Sequence, residues 1–174
     1  PTHSYLKMLY KYPHREYPYR ELVEENRRRG IGAPEFELAD TGVMADDRYF
    51  DVFIEYAQAC PGELLMQVTA HNRGSVSAAI HLIPQLTMRN TWAWNSGSAR
   101  PSMSLCPDGG VTIEHSELGT SHLYVDRVDS WLFTENDSNS AKLWGWGEAG
   151  YFKDAFHERI TGNRREAVNP AMCG

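Results

Sequence analysis

Which acids and histidines of this chain could do chemistry is decided by their spacing. Asp46-Asp47 is an adjacent acid pair. Neighbouring carboxylates on an extended segment point to opposite sides, and no calcium-loop series of oxygen ligands follows, so a solvated or capping role is expected. His157 follows Asp154 by three residues, which on a helix puts both on one face and allows a local Asp–His hydrogen bond of structural purpose. His71 and His81 share the polar face of two alternating runs, about 7–8 Å apart as diagonal neighbours if those runs pair. Two ligands are too few for a metal without a third, so no metal is expected. Glu135 and Asn136 close the run SWLFTEN at 130–136. An acid where a strand gives way to a loop is well placed for a ligand contact, and equally well placed to form the turn.

Several reaction classes lack their signatures. There is no G-x-S-x-G elbow, phosphate-binding loop or H-E-x-x-H, so nucleophilic hydrolase, NTPase and metalloprotease chemistry has no support, and no cofactor is implied. Cys60, Cys106 and Cys173 are odd in number and outside any C-x-x-C pattern; neither a disulfide framework nor a zinc site is indicated, which favours a reducing, cytoplasmic setting. A net charge of −6 opposes a broad nucleic-acid surface, despite Arg27-Arg28-Arg29 at the end of a helix-like run. No signal peptide opens the chain and no apolar run approaches the roughly 20 residues of a membrane helix, so no membrane contact is expected. Glycoside cleavage would need two carboxylates held across the scissile bond. No local pattern supplies such a pair.

The elements that must position these residues read mainly as strands. At 64–94 two alternating runs meet at Asn72-Arg73-Gly74-Ser75. Leu64, Met66, Val68 and Ala70 oppose Gln67, Thr69 and His71, and Ala78, Ile80, Leu82, Leu86 and Met88 oppose Ala79, His81, Gln85, Thr87 and Arg89, which predicts a β-hairpin. Its register would pair Ala70 with Ile80, Val68 with Leu82 and Leu64 with Leu86, with Pro84 at a bulge or on the outer side. Period two also marks 49–58, with Phe50, Val52, Ile54 and Tyr56 inward. Short strands are expected at 102–106, 111–115, 123–128, 130–135 and 142–146, the spacing of an all-β sandwich or barrel. Helices are expected after Ser4 through Leu9, from Pro18 to a stop at Gly30, and over 151–161. The 174 residues suit one domain with a real core. The opening Pro1-Thr2-His3 lacks an initiator Met, which suggests an excised fragment.

Seven segments, taken in order, resemble a known family: PTHSYLKMLYKYP (1–13), LVEENRRR (22–29), DDRYFDVFIEY (46–56), HNRG (71–74), RNTWAW (89–94), LFTEN (132–136) and the run from YFKDAFHE to AVNPA (151–171). Together they resemble the N-terminal region of bacterial glycoside hydrolase family 63-like proteins, relatives of mannosyl-oligosaccharide glucosidase. The resemblance implies an antiparallel β-sandwich, part of a larger one, with a few short helices near both ends. It implies an (α/α)6 barrel downstream that carries the two acids of an inverting glycosidase acting on α-linked sugars. On that basis the chain is trimmed at both ends, is inactive alone, carries no catalytic residue, and meets carbohydrate through its own C-terminal catalytic domain. Trp92, Trp94, Glu135, Asn136, Lys153, Asp154 and His157 are then expected to face the barrel or the rim of its sugar pocket.

Five Trp, nine Tyr and six Phe suit a sandwich core, and they also suit two other readings. An independent carbohydrate-binding module would use aromatics to stack on sugar by itself. An assembly domain would expose a large apolar patch, through which the isolated fragment would pair with a second copy.

Overall fold

The computed structural model describes residues 4–89, 97 and 99–174. The chain is mainly β and antiparallel, with two three-stranded sheets and a few short helices. It divides into two compact units, Pro1–Ile83 and Pro84–Gly174.

The first unit is built on β1 (Tyr5–Pro13), β2 (Tyr49–Ala57) and β3 (Leu65–Asn72), in the order β1-β2-β3. Period two holds through all three strands. Leu6, Met8, Tyr10 and Tyr12 of β1 lie beside Tyr56, Ile54, Val52 and Phe50 of β2, and β3 continues the same face with Met66, Val68 and Ala70. On the opposite face Lys7 pairs with Glu55 and Lys11 with Asp51, cross-strand pairs of opposite charge that favour this register. Two expectations fail here. Residues 5–9 form strand rather than helix, because β2 offers a partner at each position from Tyr5 to Pro13. The hairpin of β3 runs backward to β2, through the turn at Pro61-Gly62, so Ala70 faces Val52 and Val68 faces Ile54. Residues 77–89 lie outside the ladders, and Pro84, which lacks an N–H, cannot serve a continuous one.

The helix α1 (Tyr19–Arg29) forms where predicted, opened by Pro18 and closed by Gly30. Its last turn is stitched by Glu25, which accepts from Arg28 Nε at 2.8 Å and Arg29 Nε at 2.8 Å. Those two guanidiniums hold the Glu25 carboxyl down to about 2. Among the described residues of this unit, Val43, Phe50 and Val52 are buried, as is Pro13 at the end of β1.

The second unit holds β4 (Ser102–Leu105), β5 (Val111–His115) and β6 (Gly119–Leu123), paired in that order. Val111, Ile113 and Phe133 make its core, with Met88, Met103, Leu105, Leu123, Trp131 and Met172 packed around them. Residues 172–174 run beside β4: Met103 and Gly174 exchange backbone bonds of 2.7 and 3.0 Å, and Ser104 bridges Cys173. The strand expected at 123–128 occurs earlier, at Gly119–Leu123. Residues 130–135 lie outside the ladders, and 142–146 falls mostly in a helix, α2 (Ser140–Trp144). The expected last helix is present as α3 (Ala155–Ile160). Among the described residues no helix is long and apolar enough to cross a membrane.

Candidate functional site

In the second unit, segments far apart in sequence are clasped around LFTEN (132–136). The Phe133 carbonyl accepts from Asn169 N–H at 3.0 Å, so the AVNPA run (167–171) lies on one side. On the other, Glu135 N–H donates to the Tyr151 carbonyl at 2.6 Å and Lys153 N–H donates to the Asp137 carbonyl at 3.3 Å. The Asn136 amide reaches back 48 positions and donates to the Met88 carbonyl at 3.2 Å. The next carbonyl, that of Arg89, meets His115 Nε2 at 3.4 Å. Glu135, Asn136, Lys153 and Asp154 therefore sit on neighbouring segments held by backbone and amide bonds. Trp92 and Trp94 lie outside the described residues.

Several charges in this region are paired. Arg100 binds Asp137 at 2.8 Å, which raises the guanidinium further. Asp154 accepts from Lys142 Nζ at 3.2 Å and from Asn139 Nδ2 at 3.2 Å. Burial works to raise its carboxyl, but the bonds from Lys142 and Asn139 outweigh that and leave it below the ordinary range. Lys142 also binds Glu158 at 3.0 Å, and Arg164 closes on the far oxygen of Glu158. The expected Asp154–His157 contact is replaced by this arrangement, because Asn139 and Lys142 occupy the carboxylate while His157 faces solvent. A carboxyl held ionised in this way positions segments; a general acid needs the opposite shift.

Among the described residues no group of three or more His, Cys, Asp or Glu is placed to hold a metal ion. His71 faces Asp51 across the β2–β3 ladder, while His81 lies in the segment 77–89 outside it. Their predicted pairing is therefore corrected with the hairpin.

Two aromatics that the sequence reading assigned to a strand stand out on the surface. Trp144 ends α2 and Trp146 follows after Gly145; their rings stack on one another and both are exposed. Their signal was the Asn139 cap ahead of the run and the glycines at 145 and 147, which mark a helix end rather than a strand.

The chain is 34% identical, over its entire length, to Uncharacterized protein YMR196W of Saccharomyces cerevisiae. It spans 19% of the length of that protein. No family model matches the chain. No solved structure matches it.

Proposed function

We propose that this chain is a non-catalytic β domain of a longer glycoside hydrolase that acts on α-linked sugars, and that it packs on and shapes the sugar pocket of the catalytic domain. The observation that carries this reading is the convergence around LFTEN. Glu135–Asn136 and Tyr151–Lys153, from two of the segments behind the family resemblance, and Met88, the residue before a third, are tied together by hydrogen bonds. Such an arrangement gives polar residues a rigid support, which a pocket rim requires. The yeast relative supports only the placement within a longer protein, since the chain matches throughout yet accounts for 19% of that protein. Exposed Leu6, Met8, Tyr10 and Tyr12 on β1 add an apolar surface of the kind that packs against other protein.

Steady-state kinetics of the full-length protein on α-glucosides and α-mannosides test the reading. Trp92→Ala and Asn136→Ala should each raise KM or lower kcat by about tenfold, the range for losing one positioning contact at a pocket. Unchanged kinetics with lowered thermal stability would leave these residues a purely structural part.

A further inference from the structure

The turn that closes α2 reads LWGWGE (143–148), and it holds two indoles in nearly parallel planes on the surface. Trp144 and Trp146 are 60% and 65% exposed, with ring centroids 5.8 Å apart and 19° between the planes. The backbone beneath them is fixed. Gly145 ends α2 in the left-handed region, with φ 76° and its N–H on the Ala141 carbonyl. Gly147, at φ 123°, lies where an added Cβ would come within 3.2 Å of Ser140 Cβ. A five-residue helix has little stability of its own, and α2 is anchored from outside. Asn139 caps it through Lys142 N–H at 3.0 Å, and Asn139 and Lys142 bind Asp154 at its other side. The rings are thus presented without a loop having to order on binding, which lowers the cost of association.

We propose that the stacked pair Trp144–Trp146 offers an outward indole face to a pyranose ring of a neutral oligosaccharide. Flat aromatic faces suit a flat ligand, either a nucleobase or the C–H face of a sugar ring. Charge separates the two. Lys142, the cation of α2, is neutralised by Asp154 and Glu158, Glu148 lies two residues after Trp146, and the chain carries −6 overall. A phosphate-bearing ligand gains little from a lysine already held by two carboxylates, whereas a neutral sugar needs no countercharge. The choice of sugar rests on the glycan reading above; the platform geometry does not.

The test titrates the full-length protein with thio-linked maltotetraose, which resists hydrolysis, followed by calorimetry and indole fluorescence. Trp144→Ala and Trp146→Ala should each weaken binding about tenfold or more, while Trp144→Phe retains most of it and hydrolysis of an aryl α-glucoside is unchanged. Should the alanine variants fail to fold, oxidation of the wild-type indoles by N-bromosuccinimide decides: the oligosaccharide should protect both rings. Equal affinity in all variants, no binding by the wild type, or indoles oxidised equally with and without ligand overturns the proposal. An altered oligomeric state in the alanine variants with unaltered sugar affinity also overturns it and identifies a protein contact. Sugar binding lost with the indoles in a protein that hydrolyses no α-glycoside keeps the platform and removes the hydrolase reading. Hydrolysis with indole-independent binding does the reverse.

Discussion

Asp51 shows how one side chain organises the first unit. It is 4% exposed near the start of β2, and it accepts from Lys11 at 2.7 Å and from Arg73 at 2.6 Å. The Lys11 bond, followed by that from Arg73, holds its carboxyl below the ordinary value of 3.8, against the pull of burial. A depressed carboxyl adds stability that is complete above its unfolded value and is lost as pH falls through the folded one. Acid unfolding below about pH 4 should therefore be shallower in Asp51→Asn. That variant should also melt at a lower temperature at pH 7, since Lys11 and Arg73 then face each other without a counter-charge. Identical melting curves for the variant and the parent at pH 7 and pH 3 would show that the trio contributes nothing. The trio was readable in part. Lys7 and Lys11 are four apart, as are Asp51 and Glu55, so an antiparallel register that satisfies one pair satisfies both. Arg73 lies beyond the end of β3, and its reach to Asp51 depends on the β2–β3 hairpin.

At the scale of elements, period two located β2, β3, β4 and β5 well, because apolar and polar residues largely alternate along each of them. It could not choose partners. Two alternating runs on either side of Asn72-Arg73-Gly74-Ser75 looked like a hairpin, yet β3 pairs with the run before it. The competing arm carries Pro84 and offers no uninterrupted ladder. Around Lys142 local chemistry outweighs alternation: the Asn139 cap and Gly145 stop define α2 where a strand was expected. LFTEN is the reverse case. It was read as a strand with a functional end, and it is instead a hub whose bonds run to Met88, Tyr151 and Asn169. Sequence could suggest its importance through polar residues at an element end but not its partners, which lie up to 48 positions away. Phe133 anchors this hub in the core, 6% exposed against Val111 and Ile113. Phe133→Ala should cost about 3–5 kcal/mol in urea unfolding; a loss below about 1 kcal/mol would mean that the hub stands without its core anchor.

For the whole molecule, the account is that this chain supports chemistry carried out elsewhere in a longer polypeptide. Composition and spacing could exclude several reaction classes but could not name a substrate, because the candidate residues lie on segments far apart in sequence. The most direct measurement compares sugar release from α-linked gluco- and manno-oligosaccharides by the 174-residue chain and by the full-length protein, with the anomer of the product followed by NMR. The account predicts no turnover by the chain and turnover with inversion by the full-length protein. Turnover by the chain alone, or none by the full-length protein on any α-linked substrate, would contradict it.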